Sequence, residues 1–293
     1  MLKKIRAMLA RLPLPYLKDP APVVAVLPLE GPIGVSGRFS SSLNLAKVEK
    51  DIEAAFDVYN VKAVALAINS PGGSPVQSDL IMRRIRALSE EKNIPVFAFA
   101  EDVAASGGYL LSLAGDEIYA HRASIVGSIG VISAGFGFDK AIEKLGVDRR
   151  VYTAGEHKSI LDPFQPEQEK DVKIIKGLQN RIHDFFKEIV KERREGKLKG
   201  TQKVMFSGLF WTGEEAVKLG LVDGLGDLRT VMREKYGKRT RFKRIQGEKG
   251  FLKGLLGIVR RYVPQASLPQ SRKLPQEILA ALEERAEWSR YGL

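Results

Sequence analysis

The sequence predicts an α/β fold built around a largely parallel β-sheet. Three observations lead there. Val61–Ile68 and Ile94–Ala100 are continuous apolar runs, the pattern of strands covered on both faces. Segments of helical spacing lie between such runs. Glycine, proline and cap residues mark the junctions, so strand–turn–helix units follow one another and imply right-handed crossovers.

Taken in order, Pro13, Pro15, Pro20 and Pro22 make a linker, and Val23–Leu27 reads as the first strand. Ala46 to Tyr59 repeats apolar residues at helical spacing through Val48, Ile52, Ala55, Phe56 and Tyr59. After the second strand, Asn69-Ser70-Pro71-Gly72-Gly73 reads as a break. Ser74-Pro75-Val76-Gln77 then opens a helix to about Glu91, with serine at the cap, proline in the first turn and glutamine at the reciprocal capping position. Ile94–Ala100 leads to Ala104-Ala105-Ser106-Gly107-Gly108-Tyr109 and a helix through Ala114. Short strands are expected at Glu117–His121, Ile129–Ser133 and Arg149–Thr153, and a long helical stretch over Gln165–Lys199. Thr212-Gly213-Glu214-Glu215 is a capping box for a helix that ends before Gly220. Beyond Gly237 the composition turns basic and proline-dotted, with amphipathic candidates at Phe251–Val263 and Gln276–Tyr291.

The 293 residues are 44% apolar and 28% charged, ordinary for a globular chain with a sizeable core. The sequence has no cysteine, which excludes disulfides, thiolate metal sites and a cysteine nucleophile. No run of 18 apolar residues occurs, and Met1–Leu12 reads as a short basic amphipathic helix rather than a secretory signal. Residues 1–20 carry a net charge of +4 and residues 238–293 a net +8, which together are the whole excess of +12. A neutral body with basic ends argues against a nucleic-acid groove and favours arms that touch anionic lipid or acidic partners. The expected organisation is a basic arm and linker over 1–22, a main domain over 21–237 and a basic extension over 238–293. The expected location is cytoplasmic or peripheral to a membrane.

Ser106 is the candidate nucleophile. A serine at a strand-to-helix corner can expose its hydroxyl and aim the following backbone N–H groups at a carbonyl oxygen, and its small neighbours let a peptide approach. It needs a base. His183 lies in a charged helix and reads as a surface residue; His121 ends an apolar strand and reads as structural. The turn Ala154-Gly155-Glu156-His157-Lys158-Ser159 offers His157 and Lys158. A lysine serves as base only when burial lowers its pKa from about 10.4 to near 7–8. Gly72-Gly73 reads either as a tight turn or as a backbone donor to an oxyanion. Ser128, in Val126-Gly127-Ser128-Ile129-Gly130-Val131, would need a hydrogen-bond partner if buried, and a neutral lysine amine is one. No His/Asp/Glu cluster has metal-ligand spacing, and the phosphate-loop pattern is missing.

The order Asn69-Ser70-Pro71-Gly72-Gly73, Ala105-Ser106-Gly107-Gly108-Tyr109, Gly127-Ser128-Ile129-Gly130-Val131, then Gly155, Lys158, Ser159 and Asp162-Pro163-Phe164, resembles the signal peptide peptidase A (SppA/SohB-like) serine proteases over about residues 21–237. Trp211-Thr212-Gly213 and Gly220-Leu221-Val222-Asp223 add to the likeness. The resemblance implies a ClpP/crotonase-like fold of stacked ββα units. It implies a Ser106/Lys158 dyad, with Ser128 supporting the lysine amine and the N–H groups of Gly73 and Gly107 as the oxyanion hole. It further implies peptide substrates such as signal-peptide remnants, no cofactor, no metal, and a ring- or dome-shaped homo-oligomer whose groove can be lined by more than one subunit. The family usually has an N-terminal membrane anchor, which this sequence does not display. Two other readings are a crotonase-like acyl-CoA enzyme and a catalytically silent membrane-associated scaffold on the same fold.

Overall fold

The computed structural model describes residues 20–34 and 42–245. An eight-stranded sheet forms their centre, with β1 (Val23–Glu30), β2 (Val61–Ser70), β3 (Val96–Ala105), β4 (Glu117–Ala120), β5 (Ile125–Gly127), β6 (Phe210–Thr212), β7 (Gly224–Leu225) and β8 (Arg241–Arg244). Its main path runs β6-β5-β3-β2-β1-β8, while β4 pairs with both β3 and β7. Every pairing is parallel except β5 with β6. The α/β class with a largely parallel sheet is therefore as the sequence predicts. Strand β8 lies along β1, so the sheet reaches past the change in composition at Gly237.

The strand side chains alternate between two cores, as the period of two requires. Ala25, Leu27 and Leu29 join Val64, Leu66, Ile68, Val96, Ala98 and Ala100 in the larger one. It is closed by α1 (Leu45–Phe56), α2 (Pro75–Lys92) and α3 (Gly107–Ser112). On the other face, Ala63, Ala65 and Ala67 leave room for Phe97 and Phe99, and Val231 and Met232 of α8 (Leu228–Tyr236) complete the packing.

The helix caps follow the sequence with one exchange of partners. Ser74 Oγ accepts from Gln77 N–H at 3.4 Å, as expected. The Gln77 side chain does not return to its own cap; its Oε1 accepts from Leu45 N–H at 3.0 Å and so satisfies the first turn of α1. Thr212 and Glu215 form the full capping box of α7 (Gly213–Leu219), which Gly220 closes in the left-handed conformation. Strand β2 continues through Ser70, so Asn69 and Ser70 do not break it. Two expected strands are absent from the described residues. Ile129–Ser133 is irregular because Ser128 N–H and Gly130 meet the 208–209 loop as single close contacts instead of a ladder. Arg149–Thr153 lies in an exposed, irregular arm around α4 (Asp139–Lys144). The long helix is shorter than expected, α5 (Glu169–Arg193), and α6 (Gln202–Met205) follows it. The N-terminal arm and the amphipathic candidates at 251–263 and 276–291 lie outside the described residues.

The turn after α7 gathers the structure behind the serine corner. Tyr109, fully buried, donates its hydroxyl to Leu221 O at 2.8 Å, and burial pushes its phenol well above the usual value. Arg194, 2% exposed, donates to Gly220 O at 2.8 and 3.0 Å and to Asp223 Oδ2 at 2.7 Å. Asp223 also accepts from Ile118 N–H at 2.8 Å. Burial alone would raise the Asp223 carboxyl; hydrogen bonds from Arg194, Lys197 and Ile118 outweigh it and hold it below the ordinary range.

Asp223→Ala leaves the Arg194 guanidinium buried without its carboxylate and should destabilise the fold by about 3–5 kcal/mol, read as a lower urea midpoint. Because the folded carboxyl is the stronger acid, its contribution is complete above the unfolded value of about 4 and is lost as pH falls through the lower folded value. The wild-type acid limb should therefore be steeper than that of Asp223→Ala.

Candidate active site

Strand β3 runs straight into Ser106, which is the cap residue of α3. The caps Asn44, Ser74, Thr212 and Asp227 all accept a hydrogen bond from their own helices through the side chain, but Ser106 does not. Its hydroxyl is thus not spent on capping. The residue sits at φ +52°, a conformation that costs a non-glycine residue of order 1–3 kcal/mol and persists only where the surroundings enforce it. The enforcement is visible: Ser106 N–H donates to Gly127 O at 2.7 Å, and Ser106 O accepts from Leu110 N–H at 3.1 Å.

The Gly72-Gly73 loop closes over this corner. Gly73 has φ +136° and pairs with Ile33 as an isolated bridge, and a Cβ there would run into the Ile33 carbonyl. A Cβ on Gly107 would lie 2.5 Å from Ser78 Oγ and 3.3 Å from Gly73 N. Only glycine at both places lets the two backbones come together. Among the described residues neither the Gly73 nor the Gly107 N–H donates to a backbone carbonyl; Gly107 is the first residue of α3, whose leading N–H groups have no partner within the helix. The two glycine backbones thus meet at the Ser106 corner.

These groups open onto a cavity of about 490 Å³. Ser106, Gly107, Gly73 and Ser128 line it together, with Leu110, Val131, Ile132, Ile182 and Phe186 as an apolar wall. Ser128 also has positive φ, +52°, and its N–H donates to Leu209 O at 2.7 Å. Four of the five residues singled out in the sequence therefore meet at one site.

Lys158 is not among them. It lies on an exposed turn of the arm spanning 131–168, its N–H donating to Gly155 O at 3.2 Å, and it does not line the cavity. His157 is exposed on the same turn. The arm packs on itself: Arg149 pairs with Asp162 at 2.8 Å and covers the Phe164 ring at 4.6 Å, while Phe138 meets Phe164 at 5.6 Å. It leaves large apolar side chains in the open, with Phe136 81% and Tyr152 91% exposed. His121 is exposed and its Nδ1 accepts from Ala123 N–H at 3.2 Å, a structural role. His183 departs from its reading as a surface residue. It is half-buried, lines the Ser106 cavity and bonds Ile129 O through Nε2 at 3.1 Å. The available signal was its place beside apolar Ile182 and one turn before Phe186, on the inward side of α5.

A model of peptidase family S49 matches residues 89–239. A Brucella abortus protein named Na(+)/H(+) antiporter NhaA is 50% identical over 279 residues, 92% of this chain but 37% of that protein. A putative protease of Methanocaldococcus jannaschii is 35% identical over 57% of this chain and 53% of its own length. A putative signal peptide peptidase SppA of Enterococcus faecium is 34% identical over 57% of this chain and 48% of its own. The chain thus spans between about a third and about half of these relatives. The antiporter name describes a polypeptide most of which has no counterpart here. Among the described residues no helix is long and apolar enough to cross a membrane.

Gly73→Ala should force the bridge to Ile33 apart and destabilise the fold by roughly 1–3 kcal/mol. A lower melting midpoint, with slower labelling by a serine-reactive fluorophosphonate, is the expected result.

Proposed function

This chain belongs to peptidase family S49, and we propose from that premise that it is a serine endopeptidase with Ser106 as nucleophile and Lys158 as general base, acting on short apolar peptides such as signal-peptide remnants. The observation that carries the reading is the Ser106 corner itself: a strained, uncapped serine at a cavity mouth, flanked by the N–H groups of Gly73 and Gly107. The apolar wall of Leu110, Val131, Ile132, Ile182 and Phe186 supports apolar side chains in the substrate.

In this mechanism Ser106 Oγ attacks the scissile carbonyl carbon while the Lys158 amine takes its proton. The negative charge on the former carbonyl oxygen is met by the Gly73 and Gly107 N–H groups. Collapse of the tetrahedral adduct breaks the C–N bond, and Lys158 returns the proton to the leaving amine. Water then attacks the acyl-enzyme by the same route, releasing the acid and restoring Ser106. Ser128 orients the amine.

Since Lys158 is exposed on an apolar arm outside its own chain's cavity, the lysine is supplied by a neighbouring copy in a homo-oligomer. Docking of the arm buries its apolar side chains and dries the amine in the same step, which favours the neutral base. The basic ends, with net charges of +4 and +8, hold the assembly against an anionic membrane face.

Ser106→Ala and Lys158→Ala should each abolish cleavage of an apolar fluorogenic peptide, and His157→Ala should retain it. Mixing the two inactive variants should return part of the activity. Failure of mixing, with both variants correctly assembled, would place both groups on one chain; peptide cleavage retained in Ser106→Ala would remove Ser106 as nucleophile, and a wild type that neither cleaves peptide nor takes a serine-reactive label would favour the acyl-CoA or scaffold reading. Co-sedimentation with anionic vesicles should weaken as salt rises.

A further inference from the structure

The geometry points to His183 as a positioning residue for the Ser106 site, one that locks the Gly127–Val131 wall of its cavity through the carbonyl of Ile129. This inference rests on the reading of Ser106 as nucleophile. A carbonyl oxygen only accepts, so the 3.1 Å contact requires the imidazole to carry its hydrogen on Nε2.

The wall from Gly127 to Val131 is not held by a regular ladder beyond β5, which ends at Gly127. Single bonds hold it instead, three of which reach different elements. Gly127 O accepts from Ser106 N–H at 2.7 Å, Ser128 N–H donates to Leu209 O at 2.7 Å, and Ile129 O accepts from His183. The first ties the wall to the nucleophile and the second to the loop before β6. The third ties it to α5, where Ile129 also packs in one core with Phe186, Ile189 and Val190. Beyond Gly130 the chain enters the exposed arm that carries Lys158, and Ile132 is already 64% exposed. His183 therefore holds the wall at the root of that arm.

Helix α5 is suited to this because its other end is anchored to the nucleophile helix. Arg193 donates to Leu113 O at 2.9 Å and Gly115 O at 3.2 Å, at the C-terminal end of α3, whose N-terminal cap is Ser106. Arg194 locks the same end to the Gly220 and Asp223 turn. Phe186, Ile189 and Val190 are buried between these anchors and His183. The helix rises about 15 Å over the ten residues from His183 to Arg193, so it links the C-terminal end of α3 to the Ile129 carbonyl. Together with the direct Ser106–Gly127 bond, this element sets the separation between the Ser106 corner and Ile129. Small errors in such a separation are costly in rate, because a reacting group misplaced by an ångström loses much of its effective concentration.

The amide nitrogen of glutamine can occupy the place of Nε2, whereas that of asparagine falls short by one carbon. Full-length His183→Gln, His183→Asn and His183→Leu should be compared with wild type and Ser106→Ala by steady-state cleavage of an apolar fluorogenic peptide, fluorophosphonate labelling and thermal melting. The expected result is kcat lowered by roughly 10-fold or more in the Asn and Leu variants, with KM little changed, and rescue to within about threefold by Gln. Labelling of Ser106 should slow in parallel. Wild-type kcat in Asn or Leu would overturn the inference. So would a rise in KM at unchanged kcat, which assigns the wall to substrate binding alone, or a Gln variant as inactive as Leu with an unchanged melting midpoint, which makes the imidazole itself the reacting group. If Leu fails to fold, the Gln and Asn pair still decides. Activity retained in Ser106→Ala overturns the parent reading separately.

Discussion

The site depends on how the turn from Gly220 to Asp223 grips what lies behind the serine. Tyr109 comes from the first turn of α3 and Arg194 follows the end of α5, yet both donate into this one turn. Neither bond touches the cavity. Together they prevent α3 from sliding along its axis, and Arg193 closes off the carbonyls at its far end. A six-residue helix has little stability of its own. Its position is imposed by buried polar contacts whose partners could not be left unpaired without cost. This explains why a recognisable sequence string, Gly220-Leu221-Val222-Asp223, stands more than 110 positions from the serine it serves.

With α3 held, strain can be stored at its start. Ser106 and Ser128 both adopt positive φ without being glycine, and they face one cavity. Each is tied by its own N–H to a carbonyl across the site, at Gly127 and Leu209. Gly72 and Gly73 then fill the space above with bare backbone, where a side chain would collide with Ile33 or with the serine corner. The result is a concave surface whose polar donors are backbone groups fixed before any ligand arrives. Such preorganised donors need no rearrangement as charge develops, the condition under which they contribute most.

Much of this was legible because it is local. Continuous apolar runs marked β2 and β3, and the capping signals at Ser74 and Thr212 placed α2 and α7. The strings around Gly73, Ser106 and Ser128 marked three walls of the cavity. What could not be read was decided by distant contacts. Gln77 caps α1, 32 positions back, because the Ser74 N–H that it would accept from donates to Ile33 O at 2.7 Å instead. His183 reaches a carbonyl 54 positions away; its neighbours Ile182 and Phe186 marked the inward side of the helix, but only the fold shows what the imidazole meets there. Ile129–Ser133 and Arg149–Thr153 have the residue types of strands but no neighbour to pair with among the described residues. Apolar β-branched residues there signal burial against something, and a ladder is only one way of meeting that need.

The arm is where the sequence and the single chain diverge most. The apolar residues of the central strands alternate between the two cores, and the body between residues 21 and 237 carries no net charge. Against that background, Ile132, Phe136, Leu145, Val147 and Tyr152 all stand in the open along one segment, and clustered exposed apolar residues mark a contact. If that contact is a second copy, one burial event supplies association free energy and removes water from around Lys158. A base made in this way exists only in the assembly. A lone chain would hold Ser106 strained and ready with Lys158 outside its cavity, and the lysine would reach the hydroxyl only through that contact.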